Sequence, residues 1–323
     1  MGSIVCVTGG TGFIGRRLVS RLVEQGHVVR VLSRGGKPVP AGVHRVQGDL
    51  LAQVPEAFLH DAAIVYHCAG ELADKSVMHE LHVEGTRRLL ARVSDEVAAS
   101  GRPLRWVQLS SVGAYGPLAQ CRGRACCVTE DWPDDPVGEY EVSKAMADRL
   151  VLDWSRNEQR IGATVLRPST VFGPGMPNQS LRALLDAIGR GRFFHIGRHP
   201  AVATYVHVDD VARALLLCGT DPRVLANTYI LSNDCTFAEI VAAVATAAHR
   251  RPPALRVPER LARALARAAA VFVRHPLTPE RIDALTRRVR YSSDRLAGLG
   301  FSPARPVPQA MVDYWRGASA NLS

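Results

Sequence analysis

Apolar residues fall along the first half of the chain in two rhythms that take turns. Compact apolar runs stand at residues 3–8, 27–33, 43–47, 62–68, 104–109 and 162–167. Between them, at 13–25, near 75–99 and at 138–159, apolar positions recur every three or four residues, the period of a helix with one buried face. A strand followed by a helix pairs parallel with the next strand, because the crossover returns the chain to the same edge, and helices on both faces suit strands that are apolar throughout. The pattern predicts an α/β fold with a doubly wound parallel sheet. After residue 167 it breaks into short strands, helices and proline-rich turns, which predicts a smaller C-terminal region interleaved with the first. There, Pro258 to His275 sets Arg260, Arg263, Arg267 and Arg274 roughly along one helical face beneath Leu, Ala, Val and Phe. A packed surface helix is the expectation for that segment, in preference to peripheral membrane contact.

Composition narrows the class without choosing a reaction. The chain has 323 residues, 47% of them hydrophobic, enough for a substantial core in one large or two closely joined domains. Met1-Gly2-Ser3 leads straight into Ile4-Val5-Cys6-Val7 with no basic n-region or cleavage site, and no apolar stretch reaches the length of a membrane span, so a cytoplasmic protein is expected. Cysteines number seven; Cys6 and Cys68 sit in apolar runs, which suits reduced thiols better than a disulfide framework. Cys121, Cys126 and Cys127 cluster without the spacing or histidine of a zinc site, so an irregular surface loop and no bound metal are expected. The net charge of +10 favours anionic small molecules such as nucleotide phosphates. No aromatic-basic interleaving points to nucleic acid.

Two local motifs carry candidate chemistry. Thr8-Gly9-Gly10-Thr11-Gly12-Phe13-Ile14-Gly15 follows a strand and opens a helix, the arrangement in which Gly9, Gly12, Phe13 and Ile14 let a dinucleotide pyrophosphate reach backbone amides. The sheet is then of the Rossmann kind, with residues 1–167 as the dinucleotide-binding domain and 168–323 as mainly substrate-binding. About twenty residues past the turn, where an NAD enzyme places an acid, stand Ser33 and Arg34. A guanidinium there suits a 2′-phosphate, so NADP(H) is favoured and NAD(H) possible. Tyr140 and Lys144 lie four apart, on one face of a helix, where the ammonium is expected to lower the phenol's pKa and let Tyr140 serve as acid or base.

Together with Gly48-Asp49-Leu50, His67-Cys68-Ala69-Gly70, Val83-Glu84-Gly85-Thr86, Ser110 to Gly116, Arg167 to Gly175 and Tyr205 to Ala212, these motifs resemble the extended short-chain dehydrogenase/reductases, over almost the whole chain. The resemblance implies that Asp49 and Leu50 flank the adenine, that Ala69 lies along the cofactor, and that backbone near Pro168 meets the carboxamide. It implies a catalytic set of Ser111, Tyr140 and Lys144, with Lys144, beside Tyr140, also holding the nicotinamide ribose. It further implies a homodimer paired through helices flanking the active site.

Val112 and Gly113 stand where water-eliminating members carry an acid and a base, which disfavours a dehydratase. Hydride transfer between ketone and secondary alcohol remains, with a ketoreductase favoured over a 4-epimerase. The first expected substrate class is a nucleotide-linked sugar, although Ala203 occupies a position where such members often carry arginine, leaving Arg192 or Arg198 as replacements. The second is an apolar hydroxysteroid, flavonol or polyketide-like compound, and the third reading is a non-catalytic dinucleotide-binding protein. His82, where the family usually has asparagine, is expected on a helix face.

Overall fold

The structure, a computed structural model, describes residues 2–269 and 278–320. Strands β1 (Ile4–Thr8), β2 (Val28–Ser33), β3 (Val43–Gln47), β4 (Ile64–His67), β5 (Leu104–Leu109), β6 (Ile161–Pro168) and β7 (Asn227–Leu231) form a 7-stranded sheet in the order β3-β2-β1-β4-β5-β6-β7. Every pairing in it is parallel. The strand order reverses between β1 and β4, and in such sheets the crevice outside the carboxyl ends at that reversal receives the ligand. Helices α1 (Gly15–Glu24), α2 (Gly85–Ser100), α3 (Glu139–Asn157), α4 (Ser180–Gly189), α5 (Val208–Thr220), α6 (Phe237–Ala247), α7 (Glu259–Ala269) and α8 (Val307–Ala320) join and cover the strands.

Strand alternation sorts the core into two layers. Val5, Val7, Val29, Val31, Tyr66 and Val107 meet Leu18, Val19 and Leu22 of α1 and Val211 and Leu215 of α5. Cys6, Leu32, Val65 and Trp106 turn the other way, onto Leu89, Leu90, Val93 and Val97 of α2 and Val151 of α3. Each fully buried side chain of this size is worth about 1.5–3 kcal/mol, so the doubly covered sheet is the main source of stability. A third cluster, built on Phe172, Leu185, Ile240, Val244 and Met311, joins α4, α6 and α8 just past the carboxyl end of β6. Strand β7 and helix α5 come from the second half of the chain yet complete the sheet and one of its layers.

The structure refines two local readings of the sequence and overturns one, that of the cysteine cluster. The helical stretch near 75–99 is present but not uniform: Lys75–His79 is α-helical, Glu80–Glu84 forms a π-helical turn, and α2 follows directly. Cys121 and Cys126 are joined by a disulfide, with Cα atoms 5.7 Å apart. The backbone reverses between them at Gly123, whose φ of 76° brings the two ends of the loop together, a geometry that spacing alone does not disclose. Cys126 also opens a short strand that pairs with Val289–Tyr291, so the segment is ordered structure; Cys127 remains a free, exposed thiol. In the arginine-rich segment the expected packed surface helix is α7, which buries alanines; Arg274 lies outside the described residues.

Helix α5 comes close to the sheet at Gly219, where it crosses β4: a Cβ there would overlap the Tyr66 hydroxyl, which is itself buried without a hydrogen-bond partner. Gly219→Ala is therefore expected to lower stability by about 1–3 kcal/mol in urea unfolding. Tyr66→Phe, which removes only the unpaired oxygen, leaves stability unchanged or raised and relieves part of the Gly219→Ala loss. Equal losses in the single and double variants would contradict this packing.

Candidate active site

The turn after β1 is shaped for an anion. Gly9 has a φ of 66°, and a Cβ on it would stand 2.6 Å from the Cys68 carbonyl, so only glycine lets β1 and β4 end this close together. Helix α1 begins without a side-chain cap and without an acidic residue in its first turn, and a Cβ on Gly12 would meet nothing but the Gly9 oxygen, at 3.1 Å. Uncapped amide groups and the positive end of the helix dipole lie behind a cradle that no side chain fills, and Phe13 and Ile14, both part-buried, lead from it into the helix. These residues fit a dinucleotide pyrophosphate.

The other expected cofactor residues stand at the same edge of the sheet. Ser33 ends β2 with its hydroxyl accepting the Gly35 amide at 3.2 Å, so it shapes the turn while Arg34 is exposed beside it. Past β3, Asp49 accepts the Leu51 amide at 3.1 Å and Leu50 is buried. Ala69 follows β4, and Pro168 is the last residue of β6.

A line of buried polar groups ties this edge together, running through the side chains of Thr8, His67, Thr86, His82 and Ser143. The Ala69 amide donates to the Thr8 hydroxyl, which donates to His67 Nδ1 at 2.6 Å; His67 Nε2 donates to Thr86 Oγ1 at 2.9 Å, which donates to the His82 carbonyl at 2.5 Å. His82 continues it. Its Nδ1 lies 2.8 Å from Ser143 Oγ, whose own hydrogen goes to the Glu139 carbonyl, and its Nε2 accepts the Glu71 amide at 2.9 Å. Both rings are thus bonded as neutral imidazoles, each with one donor and one acceptor nitrogen. Burial, with the Lys144 charge nearby, holds His67 and His82 down to about 3. His82 thus lies on a helix, and on its buried face: the π turn rotates it inward, edge-on to the Tyr140 ring at 5.7 Å.

The two serines separate cleanly. Ser110 points into the core and donates to Asp148 at 2.7 Å, whereas Ser111 caps the turn Val112–Tyr115, accepting the Gly113 amide at 3.1 Å. The hydrogen of Ser111 is left for an outside acceptor. Helix α3 carries Tyr140 and Lys144 on one face, with Lys144 buried and its ammonium donating to the Leu109 carbonyl at 2.7 Å. Burial lowers the Lys144 pKa, opposed chiefly by Asp148. Asp148 gives its Oδ2 to Ser110 and to Arg167, whose guanidinium is 3.0 Å away, while its Oδ1 is buried without a hydrogen-bond partner.

Tyr140 differs from expectation. Its phenol is pushed up to about 12, first by burial and then by the carboxylates of Glu141 and Asp148. The lysine does not offset these effects, because its ammonium is directed to the end of β5. Glu141, which the sequence reading passed over, packs against Gly113: a Cβ there would stand 2.8 Å from Glu141 Cγ. The Tyr140 hydroxyl has no hydrogen-bond partner among the described residues. A potential metal-ligand group among the described residues, His60, Asp61 and Glu96, lies before β4 at the opposite end of the sheet, and Arg102 holds Asp61 at 2.8 Å.

These features define an extended short-chain dehydrogenase/reductase. The chain belongs to the NAD dependent epimerase/dehydratase family, whose model matches residues 5–230. It is 29% identical over 312 residues to sterol demethylase protein B of Methylococcus capsulatus, covering 91% of this chain and 88% of that protein. It is 29% identical to the 2-alkyl-3-oxoalkanoate reductase of Shewanella oneidensis over 80% of this chain and 70% of that one. It is 34% identical to the dTDP-6-deoxy-L-talose 4-dehydrogenase (NAD(P)(+)) of Kitasatospora kifunensis, over 67% and 70%. Among solved structures, MoeE5 in complex with UDP-glucose and NAD shares the fold with a TM-score of 0.71 at 23% identity, over 100% of both chains.

The histidine network carries a pH signature. Both rings are held at about 3 against an ordinary 6.5, so as the pH falls between those values the unfolded chain takes up protons that the folded chain refuses. Stability is expected to be full above pH 6.5 and to decline towards 3, by on the order of a few kcal/mol per histidine at full extent. Urea unfolding across this range should show a shallower decline for His67→Gln. Equal slopes in both proteins would place the acid sensitivity elsewhere.

Proposed function

We propose that the protein is an NADP(H)-dependent oxidoreductase that interconverts a ketone and a secondary alcohol on an apolar substrate, acting chiefly as a reductase. The carrying observation is a phenol, Tyr140, that is held protonated, lacks a protein partner, and stands on the helix whose next residue packs against the turn of Ser111. When bound, the nicotinamide supplies hydride to the carbonyl carbon. Ser111 donates its free hydrogen to the carbonyl oxygen, and Tyr140 delivers the phenolic proton to that oxygen as negative charge develops. Lys144 turns its remaining ammonium donors to the ribose hydroxyls. His82 and Ser143 fix the helix register that aims Tyr140. A pKa near 12 keeps the proton in place at neutral pH, which suits donation to a ketone better than abstraction from an alcohol.

The apolar substrate rests on Ala203, which is buried against the Phe172 cluster where a sugar-diphosphate site would use an arginine, and on the two relatives named for a sterol and for an alkyl oxoalkanoate. A second reading, a nucleotide-linked sugar, is favoured by the talose 4-dehydrogenase relative and by exposed Arg192 and Arg198. NADPH consumption with long-chain 3-oxo acids and 3-ketosteroids, set against nucleoside-diphosphate 4-keto sugars, separates them. Turnover of the sugars alone overturns the apolar reading.

Tyr140→Phe should lower kcat for ketone reduction by about 10²–10⁴-fold without loss of fold. With Tyr140 intact, the reduction rate should stay level through neutral pH and fall only as the phenol titrates, while alcohol oxidation climbs with pH. A reduction rate that falls already near neutrality would contradict the phenol as donor. Arg34→Asp should reduce kcat/KM for NADPH by about tenfold or more and spare NADH; an equal effect on both would remove the 2′-phosphate role.

A further inference from the structure

Helix α7 packs in reverse for a surface helix. Its inward side is alanine: Ala262 and Ala266, 0% and 2% exposed, close on Ile196 and Ile282. Its leucines face water, with Leu261 and Leu265, one turn apart, 50% and 54% exposed and Leu255 just ahead of the helix 64% exposed. Burying a leucine stabilises more than burying an alanine, so a chain surrounded only by water gains from the opposite arrangement. The outward leucines make sense against a second apolar phase.

Charge indicates which phase. Across residues 249–267 the acid is Glu259 alone, held by Arg263 at 2.8 Å, while Arg250, Arg251, Arg256, Arg260 and Arg267 are all exposed. A short helix with leucines on its outer face and arginines at its flanks matches an anionic bilayer surface, where the apolar side chains enter the acyl boundary and the guanidinium groups meet headgroup phosphates. No described helix is long and apolar enough to cross a membrane, so the contact is interfacial.

We propose that α7 docks this protein on anionic lipid, with Leu261 and Leu265 inserted and Arg260 and Arg267 on the phosphates, holding the lobe of α4, α6 and α8 at the membrane. The contact does not depend on which substrate is reduced. The test is co-sedimentation of the full chain with phosphatidylcholine vesicles and with vesicles containing phosphatidylglycerol, at about 0.15 M salt, with circular dichroism of every variant. Wild type should sediment with the anionic vesicles and little with the neutral ones. Leu261→Gln with Leu265→Gln, which leaves the charge of +10 intact, should weaken the partition about tenfold or more. Arg260→Gln with Arg267→Gln should weaken it more than Arg102→Gln with Arg156→Gln, exposed arginines on the first domain. Three results overturn the proposal: no binding to anionic vesicles; equal binding by all variants, which is adsorption of a basic protein; or a dimer in solution that the leucine variant dissociates, which makes the face a contact between copies.

Discussion

The cleft is organised around one buried cation. The Lys144 ammonium is removed from water and carries three donors, yet the Leu109 carbonyl is its one hydrogen-bond partner among the described residues. Asp148 does not supply a second partner: its Oδ2 is taken by Ser110 and Arg167, and its buried Oδ1 makes no hydrogen bond to the ammonium or to any other group. A buried charge left short of partners is costly, and the shortage faces Gly70, where a Cβ would come within 3.8 Å of the ammonium. A ligand rich in hydroxyl acceptors relieves that cost. In the proposed reading the cofactor's ribose supplies those acceptors, and the absence of a side chain at Gly70 keeps the approach to the ammonium open.

The neighbouring groups are consistent with this arrangement. A cation at the end of β5 disfavours any second positive charge, and His67 and His82 are both bonded as neutral rings whose donors and acceptors are all matched. The same low-dielectric surroundings keep the Tyr140 phenol protonated, since an anion there would meet burial and the Glu141 carboxylate. The expectation that four-residue spacing alone would lower the phenol's pKa counted the lysine and left out the burial and the acid beside it. The corrected phenol is a stronger case for a proton donor than the original one.

Much of the architecture was legible in the sequence because strand and helix periods differ. The runs at 43–47 and 104–109 are the observed strands to the residue, and the strand and helix expected on either side of the glycine turn are β1 and α1. What escaped depends on contacts between distant positions. His82 lies 61 residues from Ser143, and neither the π turn that rotates it inward nor the disulfide closed by the Gly123 reversal has a periodic signature. Helix α7 shows the same limit: its composition is plainly amphipathic, but which side meets the protein was settled by the fit of alanines against Ile196 and Ile282.

The most direct test of the central claim is calorimetric titration of NADPH into the wild-type protein and into Lys144→Met, with thermal unfolding of both. An ammonium held in reserve for the cofactor predicts affinity weakened by about 10–100-fold, the worth of hydrogen bonds from a charged group, with thermal stability kept or raised once the buried charge is gone. Equal affinity, or a marked loss of stability in the variant, would show that the protein already satisfies its lysine and would contradict the account.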